Sequence, residues 1–304
     1  MQRRDHIDMA GAGALVAFAI LLGFNQVVIK FANDGFQPVF MAGVRSLGAA
    51  ILLTAWIRLR QIPLGVSRRH LGSGLLMGLI FSFEFVFMFL SLDLTSVVRS
   101  SVIFYSMPLW LTIGAHFLLP GDRITWTKTV GLVLAFGGVA WAILDRGQTG
   151  KDVSIWGDLC ALLAALGWAG IPLCARGTNL REVRPEAQLM FQLVISAVVL
   201  LGVAWLFGPF LRQPEPIHYW ALAFQIVAIA TVAFLFWLWL LTIYPASGVA
   251  SFSFLSPVIG VGLGWLLLDE TVGLSLLGSL ALVVVGLILI NRPPRRVAST
   301  IPAE

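Results

Sequence analysis

Long apolar runs alternate with short polar breaks over nearly the whole chain. A helix needs about 20 apolar residues to cross the hydrocarbon core of a bilayer. Runs of that order lie at Ala10–Phe31, Pro38–Ile57, Leu71–Ser91, Val97–Leu119, Thr127–Leu144, Ile155–Ala175, Ala187–Phe207, Tyr219–Thr242, Ser247–Leu268 and Gly273–Ile290. The pattern predicts an all-α integral membrane protein with ten transmembrane helices. Very short turns are expected around Leu92–Ser96 and Tyr244–Ala246, and a polar tail follows Asn291.

Composition agrees with this pattern. Of 304 residues, 59% are hydrophobic and only 12% are charged, with a mean hydropathy of +0.92. A water-soluble domain carries roughly a quarter charged residues, so the surrounding medium is lipid. Arg3 and Arg4 precede the first run as they would in a signal peptide, but the run is too long and lacks a small-residue cleavage site. It reads as an uncleaved first span. The pI near 9.8 does not point to nucleic acid, because the charge is divided between alternating loops. Fourteen of the twenty basic residues fall on the N-terminal side of the ten-span scheme and five on the other, with Arg45 inside a helix. That bias predicts a multi-pass protein of the cell membrane with both termini cytoplasmic.

The two halves can be laid over each other. Gly23–Phe24 matches Gly167–Trp168, and Pro38 matches Pro185. Ser106–Met107–Pro108 matches Leu255–Ser256–Pro257, and Asp122 matches Asp269–Glu270. Five spans per half is an odd number, so the second half is expected upside down relative to the first. The predicted units are residues 1–148, an inverted copy at 149–292, and a cytoplasmic tail at 293–304. Inverted repeats are a hallmark of transporters, because two mirror-like conformations of one chain give alternating access.

On these residues the chain resembles the EamA-like branch of the drug/metabolite transporter superfamily. The resemblance is carried by Leu22 through Lys30, by Pro38 and Arg45, by the Pro108 and Pro257 helices, and by Ser256 through Glu270. It implies ten helices with cytoplasmic termini, a bacterial inner-membrane location, and export of amino acids, drugs or other metabolites. Members similar to this chain include aromatic amino-acid exporters of the YddG type. Arg99, close to the start of the fourth span, departs from the usual family pattern.

Chemistry-bearing residues are few. There is no P-loop, and Cys160, Cys174, His6, His70, His116 and His218 lack metal-ligand or disulfide spacing. The chain is therefore expected to be no enzyme, with no cofactor and no metal. Arg45 and Glu84 are charges inside spans, each seven residues from the same membrane edge and so about 10 Å deep. Such residues usually face a cavity or each other. They serve either as a structural ion pair or as contacts to a charged substrate or proton. Ser101, Tyr105, Pro108 and Thr112 share one helix face, as do Phe81, Glu84 and Met88. Trp168 occupies the repeat position of Phe24, beside Asn25 and Gln26. Trp56, Trp110, Trp126, Trp156 and Trp220 read as interface anchors.

The expected substrate site is Phe24, Asn25, Arg45, Phe81, Glu84, Tyr105 and Trp168, with Pro108 and Pro257 as hinges. Its aromatic wall and mixed polar groups suit neutral, preferably aromatic amino acids, moved by facilitated diffusion or proton exchange. The competing readings are efflux of a drug or cationic metabolite, a membrane-embedded enzyme or lipid-handling protein, and a purely structural subunit. The expected partners are a small-molecule substrate and the bilayer, with no nucleic acid and the oligomeric state open.

Overall fold

A computed structural model describes residues 8–119, 124–145, 154–243 and 255–291. The helices are α1 (Met9–Gly35), α2 (Pro38–Leu59), α3 (Leu71–Leu94), α4 (Val97–Phe104), α5 (Met107–Leu118), α6 (Trp126–Leu144), α7 (Ile155–Gly177) and α8 (Pro185–Val203). They continue as α9 (Pro216–Phe224), a π-helix (Gln225–Ala233), α10 (Phe234–Ile243), α11 (Leu255–Leu268) and α12 (Leu274–Ile290). α4 with α5, and α9 with the π-helix and the start of α10, each form one continuous apolar rod. Among the described residues, eight helical segments are long and apolar enough to cross a membrane, and α11 and α12 are shorter apolar helices.

Helix starts follow local chemistry. Asp8 accepts from Gly11 N, Gln37 from Phe40 N, Ser96 from Arg99 N and Thr125 from Lys128 N. Each cap meets a donor that the first turn leaves without an intrahelical partner. Pro38, Pro185 and Pro216 open their helices, where the missing N–H has no cost.

Packing partners exchange when the halves are swapped. α3 packs on α7 as α9 and the π-helix pack on α1, and α1 packs on α11 as α7 does on α4 and α5. The pairs α2–α8, α4–α11 and α6–α12 map onto themselves. Small residues set how closely they approach. A Cβ on Gly131 would lie 2.7 Å from the Gly286 carbonyl oxygen, and one on Gly286 would lie 2.6 Å from that of Gly131. α6 and α12 thus touch backbone to backbone. The GxxxG pairs act likewise: Gly74 and Gly78 receive Phe191 and Ile195, while Gly260 and Gly264 receive Ser101 and Val98.

The fourth predicted span is not one helix. α4 stops at Phe104 and α5 starts at Met107, so Pro108 lies in a first turn. Its ring excludes the carbonyl four residues back. Here the chain breaks before the proline, and both Ser106 N and Ser106 Oγ turn to the Ile103 carbonyl, at 3.1 and 2.6 Å. Pro257 is the third residue of α11, and Ser253, four residues before it, lies outside the described residues. So does the turn expected at Tyr244–Ala246. Trp110 and Trp56 are half-buried and pack against the main apolar cluster, and Trp110 Nε1 donates to Ser106 Oγ at 3.2 Å. Trp126, Trp156 and Trp220 are exposed as expected.

Gly286→Leu is expected to separate α6 from α12 and to destabilise the detergent-solubilised protein by about 1–3 kcal/mol, the usual cost of overpacking. Gly137→Ala, at a position with nothing within 4 Å of its Cβ, should leave the melting temperature unchanged.

Candidate functional site

Nine described residues hold a buried side-chain polar atom with no hydrogen-bond partner. Asn33, His70, Asn179 and Glu186 lie at or near helix ends. The other five, Asn25, Gln26, Arg45, Glu84 and Gln225, stand seven to ten residues in from one end of the bundle, where α1 and α3 finish and α2 and α9 begin. At about 1.5 Å per residue that is a common depth of roughly 10–15 Å. We refer to this as the Gly35 end. Of the four segments carrying these residues, α1 and α2 each pack on both α3 and the π-helix.

The atoms left open are of both kinds. Arg45 Nε and Nη1 and Gln26 Nε2 are donors, Asn25 Oδ1 and Glu84 Oε2 are acceptors, and Gln225 offers one of each. Arg45 does not form a direct ion pair with Glu84. Its guanidinium lies over the Phe85 ring, 4.6 Å from the centroid, with Phe89 at 5.9 Å, and Glu84 acts on it only as a nearby charge. The Glu84 backbone seats against Gly167 of α7, where an added Cβ would meet Glu84 Cα and Cβ at 3.0 Å.

The aromatic residues expected from sequence divide into two groups. Phe81 and Tyr105 are 3% exposed and belong to one apolar cluster, against which half-buried Trp168 packs. The Tyr105 hydroxyl lies near the side chains of Gln26 and Ser256, and Gln26 Oε1 accepts from Ser101 Oγ at 2.5 Å. Phe24 stands apart at 37% exposed, packed edge-on against Phe224.

Sequence reasoning took Arg45 and Glu84 as the charges well inside spans and counted Arg99, close to the start of the fourth span, with the basic residues of that membrane side. The structure corrects this. Arg99 is 1% exposed and Asp158 is 0% exposed. They pair at 2.6 Å (Nη2 to Oδ2) and 3.2 Å (Nε to Oδ1), while Arg99 also donates to the carbonyls of Asp145 and Ala142 and Thr95 Oγ1 donates to Asp158. This knot ties α3, α4, α6 and α7 together at the Gly35 end. Two further latches close that end. Arg212 grips Asp93 through both Nη atoms, at 2.6 and 2.9 Å. Glu270 accepts from Val97 N and Val98 N at 2.7 and 2.8 Å, at the positive end of α4. Pro172, interior to α7, was also missed; it denies the Trp168 carbonyl its usual helical donor.

The profile of the EamA-like transporter family matches this chain twice, over residues 9–144 and 155–292. The chain belongs to the EamA-like transporter family. It is similar to the uncharacterised transporter YoaV of Bacillus subtilis, 24% identical over 90% of this chain and 94% of that one. It also resembles a probable amino-acid metabolite efflux pump of Escherichia coli, at 26% identity over 94% of each chain. A solved crystal structure shares the fold at a TM-score of 0.67 and 18% identity, covering 91% of this chain and 95% of that one. For an EamA-like transporter, the two profile matches coincide with the two halves whose packing partners exchange. The chain is a multi-pass membrane protein of a transporter family, and its family and relatives are transporters rather than enzymes.

The buried pair should behave as a unit. Arg99→Met or Asp158→Leu alone strands one charge and should cost about 3–5 kcal/mol, whereas the double substitution should cost much less. Additive losses in melting temperature would show that the pair contributes no coupling. Burial raises the Glu270 carboxyl above its ordinary value, with the Val98 and Val97 N–H groups and Lys30 opposing. A carboxyl with a raised folded value binds its proton more tightly folded than unfolded, so its contribution to stability falls as pH rises through the upper carboxylate range. The melting temperature of the wild type should therefore drop more over that range than that of Glu270→Gln.

Proposed function

We propose that this transporter exports neutral amino acids with large apolar or aromatic side chains by alternating access. The observation that carries the reading is the set of open donors and acceptors at one depth beside an aromatic wall. An amino-acid zwitterion needs donors for its carboxylate, acceptors for its ammonium, and an apolar pocket for its side chain. Arg45 would meet the carboxylate, while Asn25, whose open atom is the acceptor Oδ1, would stand with Glu84 on the ammonium side. Glu84 would meet the ammonium, and Phe81, Tyr105 and Trp168 would form the wall, from which Phe24 stands apart against Phe224. Each buried polar atom without a partner costs about 1–3 kcal/mol, and a cargo that completes several of them recovers part of that cost.

In this reading the chain crosses a bacterial cell membrane ten times. Residues 1–148 and 149–292 form two inverted five-helix units, 293–304 a cytoplasmic tail, and both termini face the cytoplasm. The excess of basic residues on the N-terminal side supports that orientation. The latched Gly35 end is then the outer gate, and Pro108 and Pro257 stand where α4–α5 and α11 would flex as access alternates. The break at Tyr105–Ser106, beside Pro108, supplies such a joint in the first half.

Purified protein in liposomes should exchange labelled phenylalanine faster than threonine. Tyr105→Ala and Trp168→Ala should each weaken phenylalanine movement more, by about 1 kcal/mol or roughly fivefold per lost aromatic contact. Movement of a cationic dye without any amino acid would replace this reading with drug efflux. An impermeant thiol reagent on intact cells should label Thr271→Cys and spare Glu304→Cys, and equal labelling would contradict the orientation.

A further inference from the structure

Gln225 is the residue whose burial the fold explains least. It is 0% exposed, and neither its amide nitrogen nor its amide oxygen has a partner. An amide flip cannot cure this, because both atoms are open in either orientation. The residue sits where α9 gives way to the π-helix Gln225–Ala233. Such wide turns are rare and occur frequently at functional sites.

Its neighbours fix where it points. Phe224 meets Phe24 of α1 edge-on, with ring centroids 5.6 Å apart. Ile226 fills the space beside Gly48 of α2, where an added Cβ would lie 2.8 Å from its side chain. Successive side chains on a helix diverge by about 100°, so the residue between one that faces α1 and one that faces α2 aims into the gap between them. Arg45 lies three residues before Gly48 and shares its face of α2. Asn25 follows Phe24 on α1.

We propose that Gln225 is a substrate-contacting residue that reads both ends of an α-amino acid. Its N–H groups donate to the carboxylate and its carbonyl oxygen accepts from the ammonium. This rests on the amino-acid reading above and narrows it to a free zwitterionic head. A cation would use only the oxygen of this amide and an anion only its nitrogen, leaving the other atom buried and open in each case. A carboxamide satisfies both charged ends without adding net charge of its own. Arg45 on one side and Asn25 Oδ1 and Glu84 Oε2 on the other complete the same division of labour.

The test is counterflow of labelled phenylalanine in proteoliposomes, with phenylalanine, phenethylamine and 3-phenylpropionate as competitors. The wild type should prefer phenylalanine over both one-ended analogues by roughly tenfold, the loss expected for one hydrogen bond to a charged group. Gln225→Met should raise the half-saturating phenylalanine concentration roughly tenfold and narrow the gap to both analogues. Its melting temperature without substrate should hold or rise, because a buried amide without partners has been removed. A lowered melting temperature with unchanged preference would overturn the proposal and make the amide structural. Gln225→Glu keeps an acceptor and loses the donor, so it should retain phenethylamine and lose 3-phenylpropionate. Equal effects on the two would also overturn it. If the wild type moves no phenylalanine, the amino-acid reading itself fails. If it does so and neither variant alters preference, only the role of Gln225 fails.

Discussion

Inside a bilayer there is no water to meet a polar atom, so each backbone and side-chain group must find its partner in the protein or in what the protein carries. Much of this molecule obeys that constraint visibly. Thr54, Ser82 and Ser279 return their hydroxyls to the carbonyls four residues back, at 2.7 to 2.8 Å. Gln37 spans from α2 to the Ala204 carbonyl, and Lys30 spreads its ammonium over the carbonyls of Leu92 and Thr95. Against that background, five residues with open atoms at one depth are a concentrated exception. Leaving such groups unmet costs about 1–3 kcal/mol each, which is why the proposed function places the cargo there.

The same constraint explains why glycine matters so much to the packing. Lipid tails are as apolar as leucine, so helices gain little by hiding apolar surface from them and associate instead through close contact. Gly131 and Gly286 let two backbones touch, and Gly138 does so again against the Ser279 carbonyl, where its Cβ would come within 2.7 Å. By contrast, Gly167 clears room for the backbone of Glu84. Glycine therefore both fixes the α6–α12 pair and makes room for a charged residue of the site at the α3–α7 contact.

Much of this could be read from the chain before any coordinates. The apolar runs marked the helices, because twenty-residue stretches leave little ambiguity. Arg45 and Glu84 announced themselves as charges inside such runs. The knot at Arg99 did not, because Arg99 sits two residues into α4 after a short turn and Asp158 looks like an ordinary first-turn acid on α7. Only the fold brings them together. Gln225 carried no signal at all: glutamine is neither charged nor rare, and nothing in composition marks a π-helix. Pro108 did signal a disturbance. The sequence could not say that the helix would break two residues earlier and absorb it through Ser106.

The contacts at the Gly35 end also bear on the proposed alternation of access, because the two ends are not alike in sequence. If the halves were perfect copies, every clamp at the Gly35 end would have a counterpart at the other. The repeat correspondence carries Asp158 onto Ala14 and Arg99 onto Gly248, and neither can form an ion pair. The Arg99–Asp158 knot thus has no mirror image, and it lies entirely within the arrangement closed at the Gly35 end. Breaking a buried pair leaves two charges in low dielectric, so opening this end requires either that the pair stay intact and move as a unit or that water reach it. α4, α6 and α7 meet at the knot, and α4 ends at the Tyr105–Ser106 break. A rigid motion of that corner about the break would keep the pair whole while releasing the Glu270 cap and the Arg212–Asp93 clamp, both nearer to solvent. Under the proposed alternating access, the less buried latches would be the ones that cycle and the buried pair would be the pivot.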